Sequence, residues 1–470
     1  MAREGNLFGN TCLLCAANFL TKLLSFFTLP LFTAWLSPEA FGTVDILQTT
    51  ALLLLPLITL SAPEAAFRFL AAGERTGAVL FALLCLLMLG TGVLCLLLPL
   101  LFRLSFLEGY LFCLLAFVVA SAARSLVVHM LRARGRYTAV AIGQIFCALL
   151  TVSLQIFLIR IRGLGATGYL LGVAAGDMLT ALSLALLLWG REQEIRPVRS
   201  PALFRKMLGY ALPLVPTAAL WWGSAALDRY MLHFYHGATA VGMYAAAARL
   251  PALLTFAAGV FMEAWHYTAA HAQAGERDEI FGRTYRLLLP FGVLAATGLI
   301  CLGRPLFSLL FAAAYADAAD SLPYLTLSAL FAAFAQFLGS AYSAGYRSGA
   351  VLVTVLVGIS LNLLLNFLLI PVWGTVGAAL ATLLSNQVLF AVRLWHLLRR
   401  MRFKPYAART ALAALFLLCA AAFAVKAPFI SLLFAVAAPI FLARLLWQGT
   451  AFLWRRARVF LLSLKNSNIV

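Results

Sequence analysis

Charged side chains inside long apolar runs carry most of the chemistry in this sequence. Five cations and five acids have neighbours that are almost all hydrophobic: Lys22, Arg68, Arg124, Arg229 and Arg249, and Asp45, Glu64, Asp177, Asp228 and Glu263. An ion at the centre of a membrane costs at least ~2.5–3.5 kcal/mol, so each of them needs an opposite charge or an aqueous cavity. The ten residues therefore predict either ion pairs between helices or a charged central cavity.

Both interpretations fit the residues. Lys22, Arg124 and Arg249 have no acid within reach on their own helix, which favours a place for at least two of them on a central cavity. The alternative is that they pair with acids of other helices, as the equal totals of five and five permit. Glu64 and Arg68 are four residues apart on one helical face, a spacing typical of a structural ion pair.

Asp228 and Arg229 are neighbours in the chain, and neighbouring helical residues diverge by ~100°. The two charges therefore point at different partners. One hypothesis is that one of them faces the opposite half of the protein as part of an outer gate, while the other ties the helix to its own half. The alternative is two packing ion pairs with no role in gating.

The elements that position these charges are membrane helices. Of the 470 residues, 64% are hydrophobic and 11% charged, and a chain of this composition needs lipid as solvent. Apolar runs long enough to cross a bilayer must be helical, because lipid cannot pair their backbone groups. The sequence thus predicts an all-α polytopic membrane protein, whose first run is a mature helix and not a cleaved signal. Fourteen runs are expected: 8–35, 41–68, 77–102, 107–131, 138–159, 166–190, 208–234, 240–267, 284–303, 320–344, 349–371, 374–396, 407–424 and 427–447.

Basic residues set the predicted orientation. With both termini in the cytoplasm, 25 of the 35 Lys and Arg residues lie on the cytoplasmic side and five lie outside. This bias predicts a multi-pass protein of the cytoplasmic membrane. It also accounts for the net charge of +19, so no nucleic-acid partner is expected.

Other chemistry has weak support in the sequence. Cys12-x-x-Cys15 has no second pair, and Glu263-x-x-His266 supplies too few ligands, so no metal site is predicted. A phosphate-binding glycine-rich loop is missing, which gives no support to direct use of ATP. We expect no cofactor.

An internal repeat predicts two halves. Gly165-x-x-Gly168 with Asp177 recurs as Gly374-x-x-Gly377 with Asn386, all displaced by 209 residues. The predicted domains are an N-lobe of six helices at 1–190, a basic amphipathic linker at 191–207 in which a capped turn at Ser200-Pro201 leads into the seventh run, a C-lobe of six helices at 208–400, and two extra helices with a basic tail at 401–470. Parallel repeats related by an axis along the membrane normal are common in alternating-access transporters.

Four segments carry a resemblance to a known family. They are NFLTKLLSFFTLPLFTAWLSPEAFGTVDILQTT from Asn18, LGYALPLVPTAALWWGSAALDRYML from Leu208, VGMYAAAARLPALLTFAAGVFMEAW from Val241 and IPVWGTVGAALATLLSN from Ile370. In their joint order, over nearly the full length, the chain resembles the oligosaccharide repeat-unit flippases of the multidrug/oligosaccharidyl-lipid/polysaccharide exporter superfamily.

The resemblance implies two six-helix lobes that move a polyprenyl-diphosphate-linked oligosaccharide from the inner to the outer leaflet while its lipid tail stays in the bilayer. It places diphosphate attraction at Lys22, Arg68, Arg124 and Arg249. Polysaccharide polymerase and glycosyltransferases are the partners it implies, besides membrane lipid. Arg249 stands where a Lys is commoner in the family, and Glu263 stands where a Gln is commoner, which weakens the expectation of a purely positive cavity.

Three other functions are weighed against this one. A lipid II flippase and a cation-coupled multidrug antiporter belong to the same superfamily, and the antiporter needs acids to dominate its cavity. A membrane glycosyltransferase or polymerase would place its catalytic groups on a sizeable aqueous loop, whereas the loops here are short. The sequence therefore predicts a transporter and not an enzyme.

Overall fold

The computed structural model describes residues 2–189, 196–271, 277–344 and 348–400. Within these ranges the chain is almost entirely helical and contains no strand, which confirms the all-α prediction. Ten helices are long and apolar enough to cross a membrane, and two of them are double, since each bends at a glycine. The last two predicted runs, 407–424 and 427–447, lie outside the described residues.

Fourteen α-helices make up this part of the chain. They are α1 Ala2–Phe27, α2 Leu29–Trp35, α3 Pro38–Thr59, α4 Ala62–Ala71, α5 Thr76–Leu101, α6 Leu111–Ala133, α7 Tyr137–Ile156, α8 Gly165–Trp189, α9 Pro201–Ala211, α10 Leu214–His271, α11 Arg277–Cys301, α12 Gly303–Leu310, α13 Leu322–Ala344 and α14 Ser348–Arg400. Two 3₁₀ segments, Ser105–Leu107 and Ala313–Asp320, and a π-helical turn at Phe157–Ile161 lie between them.

The bends of α10 and α14 separate predicted runs. Gly237 has φ 77° and Gly374 has φ 52°, a left-handed conformation that side chains with a Cβ rarely adopt. Runs 208–234 and 240–267 thus correspond to the two arms of α10, and runs 349–371 and 374–396 to the two arms of α14. The first residues of run 208–234 belong instead to α9.

The predicted run 41–68 is divided by a sharp break. The sequence predicts one helix over 41–68, but Leu60 and Ser61 have φ of 49° and 51°, so α3 ends there and α4 begins at Ala62. Pro63 lies in the first turn of α4, where a missing backbone N–H costs no helical hydrogen bond, so proline is typical of a helix start. The Ser61-Ala62-Pro63 sequence was the available signal for this break.

The last part of the predicted linker, 201–207, lies in helix α9. Leu203, Met207 and Ala211 are buried on one face of α9, in a hydrophobic cluster with residues of α4 and α5. The Val198 amide also donates a 2.9 Å hydrogen bond to the Gly77 carbonyl at the start of α5. The predicted side-chain cap at Ser200 was wrong, because the Ser200 hydroxyl makes no capping hydrogen bond.

The chain divides into two compact units. Unit 1, Met1–Gly242, holds α1 to α9 and the first arm of α10, and inside it α6 packs on α3, α4 and α8. Unit 2, Met243–Val470, has an aromatic-rich core formed by the second arm of α10, α11, α13 and α14. The lobes predicted at 1–190 and 208–400 rest on the internal repeat and stay a prediction.

A short segment covers one end of α11 and α13. It consists of α12 and the following 3₁₀ segment, and Arg304 forms an exposed ion pair with Asp320 between them. Tyr315 is fully buried beneath this segment, and that burial raises its pKa. The segment lies between two membrane spans, on the predicted outer face.

Candidate functional site

The predicted site residues divide between the two units. Eight lie in unit 1, on α1, α3, α4, α6, α8 and the first arm of α10: Lys22, Asp45, Glu64, Arg68, Arg124, Asp177, Asp228 and Arg229. Arg249 and Glu263 lie on the second arm of α10, in unit 2, where Arg249 is half-buried and Glu263 is exposed. Most of the predicted charged residues therefore lie in unit 1.

Asp177 is the centre of a polar cluster in unit 1. Its Oδ1 lies 2.7 Å from Arg124 Nε, and its Oδ2 accepts a 2.5 Å hydrogen bond from the Ser121 hydroxyl. The Cys147 thiol donates to Oδ1 across 3.3 Å. The Asp177 side chain is 6% exposed, whereas that of Arg124 is 33% exposed. The carboxylate is thus buried beneath a guanidinium that is partly accessible.

Glycines on α8 allow this cluster to form. A Cβ at Gly176 would strike the Thr151 side chain, and a Cβ at Gly172 would lie 2.7 Å from the Gln155 side chain. Two glycines one turn apart therefore let α7 approach α8 closely. This approach brings Cys147, one turn before Thr151, to the Asp177 carboxylate.

Unit 2 repeats the arrangement without its charges. Asn386, which matches Asp177, donates a 2.9 Å hydrogen bond from Nδ2 to the Ser328 hydroxyl. Ser328 lies 58 residues before Asn386, as Ser121 lies 56 residues before Asp177. The residue three positions after Ser328 is Phe331, which is buried and packs on Phe390. An amide and a hydroxyl thus make in unit 2 the contact that the Asp177 carboxylate and the Ser121 hydroxyl make in unit 1.

Asp45 and Arg229 form a second ion pair in unit 1. Arg229 Nε donates to Asp45 Oδ2 at 2.6 Å, and the two side chains are 20% and 13% exposed. The Thr50 hydroxyl and the Tyr230 phenol are 2.9 Å apart beside this pair. Arg229 therefore joins the first arm of α10 to α3. Asp228, the neighbour of Arg229 in the chain, is buried.

Two glycines extend the same helix contact. A Cβ at Gly42 would fall on the Ala238 carbonyl oxygen, and a Cβ at Gly242 would fall on the Pro38 carbonyl oxygen. Both glycines are buried, so α3 and this part of α10 pack backbone to backbone.

The expected ion pair between Glu64 and Arg68 is replaced by another contact. The Arg68 guanidinium lies 4.9 Å from the centroid of the Tyr210 ring, a cation–π arrangement that joins α4 to α9. Both Glu64 and Arg68 are exposed, and the described residues show no ion pair between them. Lys22 on α1 is exposed as well.

Arg393 is an embedded cation that sequence reasoning missed. It is 5% exposed, and its guanidinium donates to the Ala335 carbonyl at 2.6 Å and to the Thr354 hydroxyl at 3.1 Å. Gly339 leaves room for it, because a Cβ there would lie 2.5 Å from Nη1. Arg393 lies one turn from the end of its run, so the count of basic residues placed it on the cytoplasmic side.

The described ranges contain no group of three or more His, Cys, Asp or Glu residues that could hold a metal ion. Glu263 and His266 are both exposed on α10. The chemistry of this site therefore lies in charged and hydroxyl side chains on membrane helices.

The described helices and their embedded charges define a multi-pass membrane protein. Residues 7–265 match the sequence profile of the polysaccharide biosynthesis proteins, and the chain belongs to that family. No curated protein matches the chain closely enough to support an assignment.

Solved structures share the fold. A lipid II flippase, MurJ, in an inward closed conformation aligns with a TM-score of 0.69 at 15% identity, over 94% of this chain and 100% of its own. An inward-facing multidrug transporter of the MATE family aligns at 0.66 with 18% identity, over 81% and 94%. A transporter of the same superfamily from Pyrococcus furiosus aligns at 0.56 with 16% identity, over 84% and 94%. At such identities the likeness concerns the fold alone.

Proposed function

We propose that this protein flips a polyprenyl-diphosphate-linked oligosaccharide from the inner to the outer leaflet, by alternating access, for synthesis of a surface polysaccharide. Membership of the polysaccharide biosynthesis family carries the proposal. The embedded cations support it, since a diphosphate needs positive charge to enter a membrane protein. The short loops give a soluble catalytic domain no place in the described chain.

Four cations supply the proposed attraction for the diphosphate: Lys22, Arg68, Arg124 and Arg249. Lys22 and Arg68 are exposed, and Arg124 is partly so, which suits groups that meet a ligand. The sugars and the diphosphate would pass along these residues while the lipid tail stays in the bilayer. Such a division avoids moving the long hydrocarbon chain through an aqueous path.

The proposed setting is the cytoplasmic membrane, with both termini in the cytoplasm. Glycosyltransferases would assemble the substrate at the inner leaflet, and a polymerase would consume it at the outer leaflet. These partners follow from the direction of the reaction, because a flippase needs a supplier on one side and a consumer on the other.

The test is the lipid-linked glycan that accumulates in a deletion strain. Deletion should raise the amount of one polyprenyl-diphosphate-linked oligosaccharide in the inner leaflet and abolish the surface polymer, as measured by mass spectrometry of extracted lipids. Expression of the full chain should reverse both changes. Normal polymer with no accumulated glycan would overturn the proposal.

A second candidate is flipping of lipid II. The observation in its favour is the alignment with the lipid II flippase over the whole length of that protein. The same lipid extract separates the two candidates, because lipid II contains a peptide and the polysaccharide precursor does not. Complementation of a strain depleted of its lipid II flippase would favour the second candidate.

A further inference from the structure

We infer that Arg124 binds one phosphate of the substrate through its two terminal amino groups, and that Asp177 is the positioning residue that orients it and limits how tightly it holds the anion. This inference rests on the proposed function. It selects one of the four candidate cations and assigns a role to an acid that is otherwise only an ion-pair partner.

The depth of Arg124 supports the inference. It lies nine residues before Ala133, the end of α6, or about 13 Å along the axis at ~1.5 Å per residue. Its side chain is 33% exposed at that depth. A guanidinium facing hydrocarbon there would be strongly disfavoured, so the exposed part must meet water or a polar ligand.

The orientation of Arg124 leaves its fork available. Asp177 Oδ1 lies closest to Nε, at 2.7 Å, in a contact between charges that is not an aligned hydrogen bond. Among the described residues, no side chain or carbonyl accepts a hydrogen bond from Nη1 or Nη2. Two parallel N–H donors are the geometry with which Arg binds phosphate oxygens.

Asp177 is held in place by more than Arg124. The Ser121 hydroxyl and the Cys147 thiol both donate to its carboxylate, so the carboxylate stays fixed if the guanidinium shifts toward a ligand. Its negative charge also opposes a bound phosphate. A transporter must release what it binds, and this opposing charge favours release.

The comparison within the chain points the same way. The matching contact of unit 2 joins Asn386 to the Ser328 hydroxyl, so the repeat keeps a hydroxyl partner while a neutral amide replaces the carboxylate. Helix packing at this position therefore does not need an ion pair. The charges of unit 1 are accordingly assigned to the substrate, and only one half of the protein contributes this contact.

The experiment measures binding of farnesyl diphosphate to the purified full chain in lipid nanodiscs, with farnesol as the probe that lacks the anion. Arg124→Gln should weaken diphosphate binding by about 10- to 100-fold, the factor expected for a lost hydrogen bond to a charged group. Arg124→Lys should weaken binding nearly as much, because a single ammonium group cannot contact Asp177 and also offer two parallel N–H donors to a phosphate. Wild-type affinity in either variant would overturn the inference.

Asp177→Asn keeps the size and shape of the side chain beside Arg124 but removes the opposing charge. We expect tighter binding of farnesyl diphosphate and slower flipping of a fluorescent lipid diphosphate in vesicles. Weaker binding would contradict the role given to Asp177. If the pair were purely structural, Asp177→Asn would change thermal stability without both raising the affinity for farnesyl diphosphate and lowering the flipping rate.

The double variant Arg124→Gln/Asp177→Asn separates folding from binding. It leaves no unpaired charge, so thermal stability should return toward wild type while diphosphate binding stays lost. Recovery of binding together with stability would overturn the inference. The matched control is Arg304→Gln/Asp320→Asn, which removes an exposed ion pair outside the membrane spans and should leave binding unchanged.

The same assay separates this inference from the proposed function. If wild type binds farnesyl diphosphate no better than farnesol, the proposed substrate class is wrong. If wild type discriminates and the Arg124 variants do so equally well, the function stands and the role of Arg124 falls. Inorganic pyrophosphate as competitor shows whether the head group alone is recognised.

Discussion

Individual charged side chains in this protein differ in what neutralises them, and this difference determines how each should respond to substitution. Arg124 and Arg229 have carboxylates at 2.7 Å and 2.6 Å, whereas Arg68 lies over an aromatic ring. Arg393 has only neutral hydrogen-bond partners among the described residues. Substitution of a paired cation leaves a buried acid without its counter-charge, whereas substitution of an exposed cation such as Lys22 does not.

Lys22 and Arg249 are expected to serve the anionic substrate. Lys22→Gln and Arg249→Gln should each reduce polymer export by about tenfold or more, the effect of losing one charged hydrogen bond. Protein abundance, measured by immunoblot of membranes, should stay at the wild-type level. Export lost only in proportion to abundance would show a structural role instead.

Asp45 and Arg229 are expected to hold an outer gate closed. An ion pair between partly exposed groups contributes up to about 1 kcal/mol, so Asp45→Asn or Arg229→Gln should increase the open population about fivefold. The reporter is a cysteine at Ser25, an exposed position one turn from Lys22, in a variant that lacks the eight native cysteines. A larger open population should make this cysteine react faster with an impermeant thiol reagent.

The position of Asp228 supplies the comparison for that gate. Asp228 is buried and adjacent to Arg229 in the chain, and helical geometry directs neighbouring side chains about 100° apart, so Asp228→Asn should lower thermal stability without changing labelling at Ser25. Equal labelling in all three variants and in wild type would show that the Asp45–Arg229 pair only packs α3 against α10.

At the level of helices, the contact between α3 and α10 depends on two glycines, Gly42 and Gly242. Pro38, Gly42 and Asp45 lie along one side of α3 and meet the region of α10 around Gly237. Because backbone touches backbone there, the contact has no flexible side chain that can yield to added volume.

Gly42→Ala and Gly242→Ala should therefore destabilise the closed contact. Overpacking of this kind costs about 1–3 kcal/mol, which should lower the melting temperature of the purified protein in detergent. Gly92→Ala is the matched control, since Gly92 is in the membrane helix α5 and a Cβ there meets nothing within 4 Å. An unchanged melting temperature in all three variants would contradict the tight packing.

Orientation in the membrane is a property of the whole molecule. The sequence places residues 42 and 242 outside, but both glycines are buried, so cysteines at these positions would be shielded on either side of the membrane. Glu39 and Thr239 are exposed neighbours on the same predicted face. Cysteines there should react with an impermeant thiol reagent added to whole cells, and a cysteine at Arg134 should react only after permeabilisation. The opposite pattern would reverse the topology.

The sequence by itself determined the helices and most of their limits. Long apolar runs have to be helical in lipid because no other structure lets a single segment pair its own polar groups. The predicted break between runs 208–234 and 240–267 contains Gly237, and the break between runs 349–371 and 374–396 ends at Gly374; the structure bends at both glycines. The ten embedded charges could also be identified from the sequence, because a charged residue is unusual inside a long apolar run. The break at Leu60 was missed because both of its residues have side chains that helices accept.

Only the tertiary structure decided which charges meet. Asp177 contacts groups 30, 53 and 56 residues away, and Asp45 meets Arg229 across 184 residues, distances along the chain at which helical periodicity carries no information. Ser121 and Ser328 gained their roles in the same way, because a hydroxyl in a membrane helix has no distinctive pattern. Periodicity determines which face of its own helix a side chain occupies. Only the packing of several helices determines which face of a neighbouring helix that side chain meets, and the ion pairs form across these contacts.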